Sequence, residues 1–401
     1  MSDHDADAGR RTVLKAASGA VAATGLAGVA SAEDATVEVN VGWENEQGRG
    51  AAMNAAGDVV REFNFDAATM RVARKAVTAL ENNPNIRYVE ENGTMEALGQ
   101  TLPWGQDRTD ADVAHSNGET GAGADIAILD TGIDSDHPDL AANLGAGQSY
   151  VSCSTKGGCR FGAKPADNTC YESWDDDNDH GSHCAGIADA VSNSQGVVGT
   201  STEATLHAVK VLDKCGSGSF SDIAAGVEYT ADQGWDVASM SLGGSSGSQA
   251  LKDACQYAHD KGVFLVAAAG NSGPCTDCVG YPAVYDTVVA VGATTPSDTL
   301  SGYSSTGPEV EIAAPGGASD GTDSTSIRSS VPGGYAYFNG TSMACPHVAG
   351  AAGQLMANGY TNTETRNQLN STAENIGLAS NESGNGLLDT AAALGLDSSN
   401  D

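Results

Sequence analysis

The sequence predicts a doubly wound α/β domain with a mostly parallel sheet, preceded by a small α+β unit of ferredoxin-like type. Three observations point there. From residue 99 onward, short runs of Val, Ile, Leu and Ala alternate with longer stretches of helical character. Continuous apolar runs of that length are strands buried on both faces, and helices between them make the crossovers a parallel sheet needs. The polar residues that stand out lie at the ends of those runs, where an open α/β sheet forms its site. Before residue 99 the pattern differs, with period-two alternation and one stretch of helical spacing.

Residues 1–32 read as a twin-arginine export signal. Arg10-Arg11-Thr12-Val13-Leu14-Lys15 precedes an Ala/Gly/Val-rich run that closes on Ala30-Ser31-Ala32, a small-residue end suited to cleavage. That run is too short and too rich in Ala and Gly to span a bilayer comfortably. A secreted, extracellular protein is therefore expected. Residues 33–98 form the small α+β unit. Val37, Val39 and Val41 alternate as in a strand, and Val59, Val60, Phe63 and Phe65 suggest a second. Spacing predicts a helix over 70–80 and a further strand over 86–90. Its place ahead of a larger unit suggests a propeptide. Residues 99–395 form the main domain, with strands predicted at 125–130, 206–212, 236–242, 263–269 and 288–291. Helices are predicted at 222–233, 248–261 and 342–356. Residues 396–401 are a short acidic tail.

Charge narrows the partners. The 401 residues carry 19 Lys+Arg against 52 Asp+Glu, a net charge of −33. Such an excess repels phosphate backbones and anionic lipid, so neither nucleic acid nor a membrane surface is an expected partner. It serves solubility, or adaptation to concentrated salt, where screening removes most of the self-repulsion; the scarcity of lysine over long stretches favours salt. Hydrophobic content of 40 % is enough to bury a core, and a monomer is expected. Nine cysteines are an odd number, so at least one is unpaired within the chain.

Four residues carry the chemistry. Asp130 ends the first strand of the main domain, in Asp130-Thr-Gly-Ile-Asp134. His180 stands in Asp179-His-Gly-Ser-His-Cys-Ala-Gly186, ahead of small residues that suit a closely packed helix. Asn271 follows Val266-Ala-Ala-Ala-Gly270 and can point an amide N–H into a site. Ser342 lies in Asn339-Gly-Thr-Ser-Met-Ala-Cys-Pro-His-Val-Ala-Gly350, at the start of a helix. There the dipole favours the negative charge that develops in acyl transfer. Singly, each is also a turn, cap or structural residue. Together, in the order Asp, His, Asn, Ser, they make a nucleophile, a base, an orienting acid and an oxyanion donor.

With these motifs the chain resembles the subtilisin-like serine proteases, most of all the secreted haloarchaeal halolysins, from about residue 36 to 394. Gly181-Ser-His-Cys184 is also similar to the proteinase K branch, which carries a cysteine there. The resemblance implies a broad-specificity endopeptidase acting on protein and peptide substrates, with Asp130, His180 and Ser342 as triad and Asn271 in the oxyanion hole. It makes 33–98 an inhibitory propeptide, through Asn85-Ile-Arg-Tyr-Val-Glu-Glu91, with autoprocessing between Leu98 and Gly99. A leucine there implies a preference for large apolar residues before the cut. Gly216, Ser217 and Gly218 would form one edge of the substrate cleft, and Ser241, Leu242 and Gly243 the other. Ser239 stands where the family more often has Asn. The family's tight calcium site maps onto Gln100, Asp139 and Asn193, an oxygen set suited to a hard cation.

Some readings stay open. The run Asp175-Asp-Asp-Asn-Asp179 is a second ion site or a solvated acidic loop. Cys275-Thr-Asp-Cys278 is a redox pair, half a zinc site or, as preferred here, a local disulfide. Cys184 and Cys345 are expected to stay buried as small apolar residues. A zinc peptidase built on His180 and His183 is the rival enzyme class, but the motif lacks the glutamate that such enzymes use as base.

Overall fold

The computed structural model describes residues 36–92, 99–156 and 168–398. The chain divides into two compact units, Met1–Ala97 and Leu98–Asp401.

The first unit is built from β1 (Thr36–Trp43), α1 (Glu46–Ala55), β2 (Ala56–Phe63), β3 (Ala67–Ala73), α2 (Arg74–Glu81) and β4 (Ile86–Glu91). Its sheet runs in the order β2-β3-β1-β4, a split βαβ arrangement. The helix expected over 70–80 begins only at Arg74. Met70 and Val72 are buried while Arg71 is exposed, the alternation of a strand. β3 pairs with both β1 and β2, so two ladders outweigh the local helical spacing. Helix α1 was not legible, since its two glycines and weak apolar stripe hide it. Asn45 caps it by accepting from the N–H groups of Gln47 and Gly48.

The second unit opens with two short helices, α3 (Trp104–Arg108) and α4 (Ala111–Ser116), and then enters the sheet. In chain order follow β5 (Asp125–Asp130), β6 (Gln148–Ser149), α5 (His180–Asp189), β7 (Thr205–Lys210), α6 (Phe220–Gln233), β8 (Val237–Met240), α7 (Gln249–Asp260), β9 (Phe264–Ala268), β10 (Val288–Thr294) and β11 (Val310–Pro315). A hairpin of β12 (Ile327–Val331) and β13 (Gly334–Phe338) precedes α8 (Thr341–Ala357), and α9 (Asn362–Thr372), α10 (Ser380–Ser383) and α11 (Thr390–Ala393) close the unit. The seven-stranded sheet has the order β11-β10-β9-β8-β5-β7-β6, and all its pairings are parallel. This is the predicted α/β fold.

Both faces are covered. Residues of α5 and α8 pack with Ile126, Ile128, Val266 and Val291 on one side. Residues of α6 and α7 pack with Ala127, Leu129, Leu265 and Ala267 on the other. That is why these strands read as continuous apolar runs rather than alternating ones. From β5 the chain goes to β6 and then β7 on one flank and crosses back to β8 on the other, so the order reverses beside β5. A crevice forms outside the strand ends at such a reversal. Among the described residues no helix is long and apolar enough to cross a membrane.

Candidate active site

Asp130 is the last residue of β5 and is fully buried. Its Oδ1 accepts from the N–H of Thr131 at 2.7 Å and from Nδ1 of His180 at 2.8 Å. Only a protonated Nδ1 can make that second bond, so the carboxylate sets the tautomer and leaves Nε2 as the free base. Oδ2 is buried with no hydrogen-bond partner among the described residues. His180 is the first residue of α5, its side chain 27 % exposed. Burial works against its protonated form, but the charge and hydrogen bond of Asp130 outweigh this and hold the imidazole well above its usual value. Gly181 keeps the pair close. A Cβ there would lie 2.1 Å from the carbonyl oxygen of Gly132, so a side chain would push α5 away from the end of β5.

Ser342 is the second residue of α8, following the N-cap Gly340. Its Oγ donates to the carbonyl of Ser241 at 3.3 Å. Its own carbonyl would ordinarily accept from the N–H four residues on, but that residue is Pro346, which has none. The hydroxyl of Ser241 takes the vacant acceptor at 2.8 Å, and the thiol of Cys184 approaches it at 3.4 Å. Proline inside the helix thus ties the backbone of Ser342 to the neighbouring strand end and to α5.

Asn271 stands just past β9. Its Oδ1 accepts from the N–H of Thr341 at 2.9 Å and from Oγ1 of Thr341 at 3.0 Å. With the oxygen fixed, the amide Nδ2 faces away from them. A Cβ at Gly340 would lie 3.4 Å from Nδ2 and 3.6 Å from the N–H nitrogen of Ser342, so the two donors converge beside that glycine. Thr341 was not picked out from the sequence. A threonine beside a serine carries no signal of which amide it will orient.

Four residues far apart in the chain thus meet at the strand ends. The Subtilase family model matches residues 121–387. Subtilisin amylosacchariticus of Bacillus subtilis subsp. amylosacchariticus is 41 % identical over 343 residues, 84 % of this chain and 83 % of that protein. Subtilisin E of Bacillus subtilis (strain 168) is 40 % identical over the same length. The alkaline protease of Alkalihalobacillus alcalophilus is 40 % identical over 340 residues, 84 % of this chain and 81 % of that protein. The chain belongs to the subtilase family. It is a serine endopeptidase, a hydrolase.

In this subtilase the expected cleft residues lie on two loops. Gly216, Ser217 and Gly218 are exposed between β7 and α6, with the N–H of Ser217 donating to Asp213 at 3.0 Å. Ser241, Leu242 and Gly243 continue β8. Beyond them Gly244 pairs with Tyr281 in an antiparallel bridge, which braces that edge from behind. Ser239 is buried against Cys345, 3.7 Å from its sulfur. Cys275 and Cys278 are disulfide-bonded, as are Cys153 and Cys170. Cys184, Cys255 and Cys345 are free and buried. His183 is buried beneath the hairpin, where its Nε2 donates to the carbonyls of Ile327 and Ala336 at 3.1 and 3.2 Å. Engaged by both carbonyls, that nitrogen is not free to join His180 on a metal, which argues against the zinc-peptidase alternative.

Gln100, Asp139 and Asn193 are brought together. Asp139 accepts from Nδ2 of Asn193 at 3.1 Å and from the N–H of Val197 at 2.9 Å. The carbonyls of Val191 and Val197 converge on the Gln100 amide at 2.7 and 2.9 Å. Gly196 closes the loop with φ of +64°, and a Cβ there would lie 1.9 Å from Oδ2 of Asp139. The run 175–179 is not the solvated loop that was one of its two readings. Asp175, Asp176 and Asp177 are buried, and each is claimed by hydrogen bonds. Asp176 accepts from Oγ1 of Thr131 and from the N–H and hydroxyl of Ser182. Leu98 and the twin-arginine segment lie outside the described residues; Gly99 is described and exposed.

Replacing Asn271 by Ala is expected to lower kcat about 10²–10³-fold with little change in KM, the size known for this donor in subtilisins. Steady-state kinetics on a peptide amide check it. A loss confined to KM would place Asn271 outside the oxyanion hole.

Proposed function

We propose that this subtilase is exported as a zymogen and cleaves proteins through Ser342, His180 and Asp130. The observation that carries the assignment is the Asp130–His180 bond, which leaves Nε2 as the free base, on a helix whose Cys184 thiol lies 3.9 Å from His180 Nδ1 and 3.4 Å from the carbonyl of Ser342. His180 takes the Ser342 proton as Oγ attacks the peptide carbonyl, then delivers it to the leaving amine. Asp130 stabilises the imidazolium, and Asn271 with the N–H of Ser342 binds the oxyanion. Water then repeats the sequence on the acyl-enzyme. An extended peptide pairing with 216–218 and 241–243 draws its affinity from main chain, which supports broad sequence selectivity.

The match to the relatives, 84 % of the chain, is longer than the second unit and so runs back into the first. That supports reading 33–98 as an inhibitory propeptide, released after Leu98, with large apolar residues favoured before the cut. The acidic excess supports activity in high salt, and Arg10-Arg11 supports twin-arginine export. The test is to assay casein hydrolysis in a salt series, label with a serine-directed phosphonylating reagent, and sequence the N-terminus. Label on Ser342 and a start at Gly99 support the reading; an unlabelled, chelator-sensitive protease would overturn it.

Calcium is the cofactor these residues suit. The Gln100 and Asn193 amides now turn their NH2 groups toward the carbonyls of Val191 and Val197 and the carboxylate of Asp139; rotating both amides would present oxygens instead, and only a glycine at 196 lets its loop come so close to that carboxylate. Gln100, Asp139, Asn193 and the carbonyls of Val191 and Val197 would hold the ion, which when bound supplies positive charge that fixes the loop. Chelation is expected to lower Tm of the wild type by several degrees and that of Asp139→Asn by much less. Equal shifts in both would remove this site from the proposal.

A further inference from the structure

Lys210, the last residue of β7, is fully buried and is the largest side chain so buried among the described residues. A buried ammonium forfeits its hydration and persists only where every donor is matched. Here the three donors meet three acceptors. Nζ donates to Oδ1 of Asp177 at 2.6 Å, to the carbonyl of Thr131 at 2.5 Å and to the carbonyl of Leu212 at 3.0 Å. Asp177 is itself only 1 % exposed, and its other oxygen accepts from the N–H of Ser154 at 2.7 Å.

The acceptors come from three separate segments. Thr131 directly follows Asp130. Asp177 lies three residues before His180, on the loop that delivers it. Leu212 carries the chain from β7 into the loop of Gly216–Gly218. The same loop grips Thr131 a second time through Asp176. Apolar side chains of similar volume in place of both Lys210 and Asp177 would leave no charge to bury, and such replacements of a whole buried pair are often neutral or stabilising. Stability alone therefore does not account for a lysine here. What the ammonium adds is a fixed distance between the segment of Asp130, the segment of His180 and the cleft rim.

We infer that Lys210, through its buried ion pair with Asp177, is a positioning residue that holds the His180–Asp130 pair in register with the substrate cleft. This rests on the catalytic assignment made above. Small misplacements of such a pair are costly, since about 1 Å can lower a rate 10²-fold.

The test compares Lys210→Met, Asp177→Asn and the double variant in the full chain. Tm is measured, with kcat and KM on a peptide amide, counting enzyme by active-site titration. Each single variant is expected to lose Tm, because one buried charge is left unpaired. The double variant is expected to regain most of that Tm yet keep kcat at least tenfold down, with KM within about twofold. Recovery of kcat together with Tm would make the pair structural only and overturn the inference, as would a loss confined to KM. Should the double variant not fold, Lys210→Arg decides. It keeps the charge, but a planar fork cannot match three acceptors set around one nitrogen, so the same fall in kcat is expected and an unchanged kcat overturns the inference. If wild-type Ser342 takes no serine-directed label, the catalytic assignment itself fails and this inference falls with it.

Discussion

Ser342→Ala is expected to lower kcat about 10⁶-fold, the size known for loss of the serine in subtilisins. It is also expected to leave the chain unprocessed ahead of Gly99. The geometry gives the reason. Nothing else at the end of β8 or the start of α8 can replace Oγ: Ser241 points its hydroxyl at the Ser342 carbonyl, and Thr341 points its own at Asn271. The residual rate would come from the oxyanion donors acting on bound substrate with water as nucleophile. Casein hydrolysis and N-terminal sequencing of wild type and variant, side by side, check both parts. A variant that matures and cleaves as wild type does would remove Ser342 from the mechanism.

Asp130→Ala is expected to cost about 10⁴-fold in kcat, again the size known for subtilisins, and to move the pH profile. In the wild type the base works only when His180 is neutral. Asp130 holds the imidazole well above its usual value against the opposing effect of burial, so kcat/KM should rise with pH through a limb above the ordinary histidine range. Without the carboxylate, burial and the N-terminus of α5 both disfavour the imidazolium. The limb should then shift to lower pH even as the rate collapses. A pH–rate profile of both proteins reads this directly. An unmoved limb would mean that the ionising group is not His180.

Much of this architecture was legible because local and tertiary signals agree. Strand β5 was read with both ends correct, since an apolar run buried on both faces stops at a charged residue. The starts of α6 and α7 were misplaced by no more than two residues; each follows a serine that caps it, Ser219 and Ser248. Where the signals conflict, reading the sequence failed. Met70–Ala73 has helical spacing but sits in the middle of a sheet. Strand β11 and the hairpin β12–β13 carry too few apolar residues in a row to announce themselves, and only the hairpin's turn, Pro332-Gly333-Gly334, hints at it. The four residues that the structure brings to the strand ends stand out in their motifs, but their supports do not. Thr341 is ordinary in sequence. Lys210 did leave a trace, as a lone charge inside the apolar run 206–212, and a charge in a strand buried on both faces must have a partner. The burial of Asp175–Asp177 was masked by composition, because one acidic loop looks like any other in so acidic a chain.

Ser241 and Ser342 exchange two bonds, hydroxyl to carbonyl in each direction, an arrangement that the missing N–H of Pro346 makes possible. At rest, then, the Ser342 hydroxyl is latched to the rim proposed above to take the peptide. On the proposed pairing, an incoming backbone that claims the Ser241 carbonyl takes away the resting partner of the Ser342 proton and leaves His180 to receive it. The peptide is in that sense its own key. A small ester that reaches the serine without lying along the rim would find the latch still fastened.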